Sequence, residues 1–137
     1  MGLGLLVGAC GSADDNRPAD WAYIAPALII PNCATSSCHS EAAAVAGLDM
    51  STPAKAYKSL TGLKVCRGDG DNCGPKGDDL KPRPLITPGN PGQSRTVNMM
   101  RANDARRMPP DRPMAEADIA LFEEWILAGA KQTRSSN

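Results

Sequence analysis

A mostly α-helical domain is the fold class this sequence predicts, and three observations predict it. Apolar residues recur at three-then-four spacing in several short segments, those segments carry helix starts and stops, and no alternating apolar and polar run long enough for a strand of ordinary length is present. The 137 residues suit one domain, and no internal repeat is found. Lys plus Arg (15) balances Asp plus Glu (15), so neither nucleic acid nor an anionic membrane surface is an expected partner. Leu, Ile, Val and Phe make only 22 of the 137 residues, a poor stock for a core, and something apolar besides side chains is expected to fill it. Five cysteines with 12 prolines and 13 glycines point to a loop-rich exported domain.

In chain order, residues 1–10, MGLGLLVGAC, form a short apolar run ending in small residues before Cys10, with no Lys or Arg ahead of it. This resembles a bacterial lipoprotein signal in which VGAC is the lipobox and Cys10 carries the lipid; an ordinary N-terminus with a chance cysteine is the alternative. No apolar run reaches the ~18 residues of a spanning helix, so acyl chains on Cys10 would be the membrane anchor. Residues 11–19 read as a polar tether, 20–130 as the domain and 131–137 as a tail.

Within the domain, DWAYIAPALII sets Ile24, Leu28 and Ile29 on one helical face, with Pro26 near a first turn and Pro31 expected to end the run. STPAKAYKSLTG offers Ser51 or Thr52 as N-cap, Pro53 at the first helical position, Tyr57 and Leu60 inward, and Gly62 past the end. NPGQSRTVNMM repeats the device with Asn90 as cap, Pro91 next and Gln93 three positions on. AEADIALFEEWILAGA is the strongest helix, with Ile119, Phe122 and Ile126 on one stripe, Trp125 beside them, acidic residues in the first turn and Gly129 as the stop.

The chemistry concentrates in CATSSCH, where Cys33 and Cys38 stand five positions apart and the chain's single histidine, His39, follows at once. Three chemistries fit it. In c-type haem attachment two thiols add across the porphyrin vinyl groups and the next residue's imidazole reaches the iron; the usual spacing is CxxCH, and CxxxxCH is a wider variant. A Cys33–Cys38 disulfide beside an incidental histidine is the second. A zinc site completed by a further cysteine is the third, disfavoured because adjacent residues seldom both ligate one tetrahedral ion.

Taken together, the helix entering the cysteines, GLDMSTPAKAY, ITPGNPGQS, RMPPDRPM and the last helix with Trp125 before Gly129 and Ala130 resemble a small bacterial cytochrome c domain over residues 20–130. The resemblance implies one covalent haem c on Cys33 and Cys38, with His39 and Met108 as axial ligands of the iron. A thioether is a weak, soft ligand that holds iron when its backbone is stiff, and Pro109 and Pro110 stiffen this loop. Met and His ligation raises the reduction potential and leaves little room for a substrate, the character of an electron carrier. Met50, Met99, Met100 and Met114 are expected to be packing residues, with Met114 or Met100 the next candidates for the axial ligand after Met108. Ile24, Leu28, Leu48, Tyr57, Ile119, Phe122 and Trp125 are expected to wall the haem pocket.

Two cysteines remain, Cys66 and Cys73, in the Gly- and Asp-rich stretch VCRGDGDNCGPKGDD, and a short disulfide between them is expected in an oxidising compartment. An EF-hand reading of that stretch fails, because Leu80 stands where a bidentate Glu belongs. Arg101, Arg106, Arg107 and Arg112 surround the Met108 loop as a solvated charged face or as partners for haem propionates. No Ser-His-Asp set, P-loop or dinucleotide fingerprint is present. The expected function is electron transfer between redox partner proteins in the periplasm or cell envelope, with no catalytic residues. The rivals are a disulfide-stabilised lipoprotein that binds a partner without a cofactor, and a haem enzyme or sensor with an open distal site.

Overall fold

A computed structural model of the chain describes residues 15–62, 64–65 and 83–133, and over these helix predominates, as the patterning predicts. The expectations placed on Cys10, Cys66 and Cys73 lie outside the described residues.

The first helical rod has three pieces: α1 (Trp21–Ile24), a π-helical turn (Ala25–Ile29) and α2 (Ile30–Cys33). Asp20 starts it, its backbone extended and its carboxylate accepting from the Tyr23 N–H at 3.0 Å. Pro31 does not stop it, contrary to expectation. A proline inside a helix lacks one N–H and crowds the carbonyl four residues back. The wider π turn between Pro26 and Pro31, closed by the Ile30 N–H on the Ala25 carbonyl, relieves that crowding and carries the rod on to Cys33.

Helix α3 (Pro53–Gly62) starts as expected, with Thr52 Oγ1 accepting from the Lys55 N–H at 3.3 Å, but Gly62 is its last residue rather than the one after. Beyond it, β1 (Lys64–Val65) and β2 (Arg83–Pro84) pair antiparallel, Lys64 opposite Pro84 and Val65 opposite Arg83. Two residues per strand are too few for an alternating pattern to register, and this ladder closes the base of the stretch that holds Cys66 and Cys73.

The expected helix from Asn90 divides in two. Asn90 Oδ1 accepts from the Gln93 N–H at 3.1 Å and opens a 3-10 turn, Pro91–Gln93; α4 (Arg95–Met100) starts only after Ser94. Ser94 is fully buried, and its hydroxyl accepts from the Thr87 N–H and donates to the Asn90 carbonyl, each at 2.9 Å. Those bonds accompany an extended backbone at Ser94 and break the helix there.

Helix α5 (Glu116–Leu127) buries Ile119, Phe122, Trp125 and Ile126 as predicted, and Leu121 in addition. Its exit needs a left-handed turn, supplied by Gly129 at φ +100° and Ala130 at φ +50°. The chain then folds back: the Trp125 indole donates to the Lys131 carbonyl at 2.9 Å and the Tyr57 hydroxyl to the Ala130 carbonyl at 3.0 Å. Trp21, Tyr57, Phe122 and Trp125 form one aromatic group, the Trp21 and Trp125 rings 4.8 Å apart, which joins α1, α3 and α5. Arg101, at the end of α4, grips Glu123 and Glu116 on α5 with bonds of 2.8 to 3.0 Å. Among the described residues no helix is long and apolar enough to cross a membrane.

Candidate functional site

On the side of the core away from α5, a cavity of about 450 Å³ opens between the end of α2, the loop after it, α3, α4 and the Met108 loop. Its wall brings together all four residues singled out from the sequence: Cys33, Cys38, His39 and Met108. The volume is in the range of small-molecule and cofactor pockets.

Cys33 closes α2 and Cys38 follows a tight turn, with the Cys38 N–H on the Thr35 carbonyl and the His39 N–H on the Cys33 carbonyl, both at 3.0 Å. The extra residues of CxxxxCH are thus taken up in a hydrogen-bonded loop. Both thiols are free rather than joined in a disulfide. Burial pushes the Cys33 thiol up to about 12, with Cys38 adding to the rise, so it is a protonated S–H at neutral pH. Among the described residues no three His, Cys, Asp or Glu side chains converge as ligands of one metal ion, so Cys33, Cys38 and His39 do not build the tetrahedral zinc site.

His39 is oriented by a feature the sequence did not announce. Its Nδ1 lies 3.0 Å from the Val45 carbonyl. A carbonyl only accepts, so in the neutral ring Nδ1 carries the proton and Nε2 the lone pair, the tautomer that ligates a metal through Nε2. Val45 reaches back because Ala44 and Ala46 on either side adopt left-handed backbone, φ +38° and +56°. The Met50 N–H on the His39 carbonyl, at 2.7 Å, fastens the other side of the histidine.

Met108 sits at the mouth, 39% exposed. Its N–H donates to the Met99 carbonyl at 3.1 Å, which pins the loop to the end of α4. Arg107 braces the loop from outside, donating to the Pro109 and Pro110 carbonyls at 3.4 and 3.0 Å. The four arginines therefore do not act as one face: Arg101 serves α5, Arg106 pairs with Asp104, Arg107 holds the loop, and Arg112 lines the cavity.

Of the seven residues expected to wall the pocket, only Leu48 does so. Ile24, Leu28, Ile119, Phe122 and Trp125 are buried behind the cavity, and half-buried Tyr57 belongs to the aromatic group. The reason is that α5 packs against α1, α4 and the 3-10 turn Pro91–Gln93 and supplies no residue to the cavity wall. Ile29, Met50, Leu60, Leu85, Met99 and Met100 take those places. Met50 and Met100 are buried as expected of packing residues but line the cavity as well, whereas Met114 packs in the core away from it.

Sequence reasoning also missed Thr96, which lines the cavity at 8% exposure. Its Oγ1 is buried and, among the described residues, without a hydrogen-bond partner. The signal was legible in SRTVNMM, where Thr96 lies three and four residues before Met99 and Met100 on one helical face. Compared with protein-family models, curated proteins and solved structures, the chain matches none.

Proposed function

We propose that this protein is an exported single-haem cytochrome c-like electron carrier. The observation that supports it best is the convergence of two free thiols, an imidazole with fixed tautomer and a thioether on one cavity wall. The residues fit the group: the cavity wall is largely apolar, His39 Nε2 keeps its lone pair, and buried Thr96 offers a hydroxyl without a partner. Cys33 and Cys38 would hold the porphyrin, each S–H adding across a vinyl C=C so that sulfur bonds one carbon and the proton goes to the other. No oxidant is needed. His39 and Met108 would ligate the iron, which supplies reversible one-electron chemistry. The chain's own work is to fix the imidazole through Val45, present the thioether on a braced loop and exclude water. The partners are then redox proteins of the periplasm or cell envelope, and a lipid on Cys10 would hold the domain there.

The test is covalent attachment. Protein matured in an exporting, haem-attaching host is denatured, extracted with acidified solvent and weighed. The chain should keep its colour and exceed the polypeptide mass by one haem. Colour lost to the solvent, with a mass equal to the bare chain, overturns the proposal.

A further inference from the structure

The stretch from 101 to 112 holds four arginines, and the structure engages the guanidinium groups of three of them. Arg101 grips Glu116 and Glu123, Arg106 the Asp104 carboxylate, and Arg107 the Pro109 and Pro110 carbonyls. Arg112 differs. Its backbone N–H is held by the Asp111 carboxylate at 3.0 Å, but among the described residues no carboxylate or carbonyl takes its guanidinium. It is also the one Lys or Arg that the described residues bring to the cavity wall.

The rest of the wall limits what could pair with that cation. Ile29, Leu48, Met50, Leu60, Leu85 and Met100 line the interior, all of them apolar and buried apart from the cavity they face. Arg112 and the wall's one acidic side chain, Asp111, are both exposed, so the charged part of the wall lies at the mouth. An occupant that suits both parts has an apolar body and an anionic group at its rim. A porphyrin with its carboxylates is such a molecule. At a wet mouth a carboxylate keeps its charge, and the planar guanidinium can hold both of its oxygens through parallel N–H bonds. Asp111 works against such a group, because like charges repel, and Arg112 is therefore the side chain that must hold it there.

We propose that Arg112 binds a carboxylate of the haem and fixes that edge of the porphyrin at the cavity mouth beside the Met108 loop; this rests on the haem reading above. The pairing offsets one negative charge near the iron, which favours the reduced state. The other three arginines, each engaged within the chain, take no part.

The test is carbodiimide coupling of an amine to the haem-loaded protein, in wild type, Arg112→Gln, Arg112→Lys and Arg106→Gln. Tandem mass spectrometry of the haem peptide released by proteolysis counts the labels on the porphyrin itself. A partly exposed Arg–carboxylate pair predicts that one porphyrin carboxylate in the wild type couples roughly fivefold more slowly than the other, equivalent to about 1 kcal/mol. Arg112→Gln should remove that protection and lower the reduction potential, Arg112→Lys should keep part of both, and Arg106→Gln should match the wild type. Equal coupling of the two carboxylates in the wild type overturns the proposal, as does protection that survives in Arg112→Gln. A haem peptide without any attached porphyrin would fail the haem reading itself, an outcome distinct from failure of Arg112 alone.

Discussion

At the scale of single residues the site sorts five methionines, Met50, Met99, Met100, Met108 and Met114, that look alike in composition. Met108 and Met114 flank the same Pro-rich loop, yet one lines the cavity at 39% exposure and the other is buried in the core away from it. Their substitutions should therefore separate function from stability. On the proposed function, Met108→Ala keeps the covalent haem but loses the sulfur-to-iron absorption, lowers the potential and binds imidazole ~tenfold tighter or more, about 1.4 kcal/mol or above. Met114→Ala should leave the spectrum and ligand affinity at wild type and lower unfolding free energy by ~2–5 kcal/mol through loss of packing. Absorption spectra, an imidazole titration and a denaturant melt of each variant check the pair. A Met108→Ala protein with the wild-type spectrum removes the assignment of the sixth ligand.

At the scale of elements, what was legible depended on whether a rule acts within a few residues. The Thr52 cap, the Pro53 start and the Gly129 stop are local chemistry, and the structure has them all. Pro31 misled because its usual effect, a break, gave way to a π turn over Ala25–Ile29 that holds Pro26, five residues earlier. The split between Asn90 and α4 was hidden because it depends on Ser94 being buried and bonded to Thr87, a tertiary fact. The four candidate residues were singled out by the Cys-Cys-His order and, for Met108, by the family resemblance of the Met-Pro-Pro loop, and what the structure adds is that they line one cavity. The pocket wall was not, because periodicity says that α5 has an apolar stripe but not which neighbour receives it.

The segment between the histidine loop and α3 carries a prediction at this same scale. Asp49 lies between two cavity residues, Leu48 and Met50, and its carboxylate accepts from the Ser51 hydroxyl at 2.6 Å and the Ser51 N–H at 2.9 Å, with Lys55 Nζ at 2.9 Å. These partners, Ser51 first and Lys55 after it, lower its pKa from 3.8 to about 2. A carboxyl depressed in the folded state stabilises the fold above its unfolded value and loses that contribution as pH falls through the folded one. Stability should therefore drop between about pH 4 and pH 2 through this group. Asp49→Asn should flatten that part of the curve, and melts of both proteins across this range decide it. An unchanged slope in Asp49→Asn would show that the carboxylate does not fasten the cavity wall.

At the scale of the whole molecule, a poor apolar inventory and a large cavity are two sides of one fact. The side chains that could close a core are few, and those present divide between two tasks: the aromatic group that joins α1, α3 and α5, and the wall of Ile29, Leu60, Leu85 and methionines around about 450 Å³ of space. A wall facing space forfeits the dispersion contacts that close packing supplies, and an apolar group filling it restores them along with ~25 cal/mol for each Å² withdrawn from water. The proposed haem is therefore also a core element, and its removal should be felt in folding as well as in redox chemistry. The variant lacking both attachment thiols, Cys33→Ala with Cys38→Ala, produced free of haem, should melt well below the haem-loaded protein. Loss of ~3 kcal/mol corresponds to roughly 10–20 °C for a domain of about this size. Adding haem to that variant should recover part of the difference by noncovalent binding through His39, and further substitution of His39 by Ala should abolish the recovery. Calorimetry of the three proteins with and without haem reads all of this directly. Equal melting temperatures for the haem-loaded protein and the haem-free variant would mean that the side chains close their own core, and that the cavity has no structural need of a cofactor.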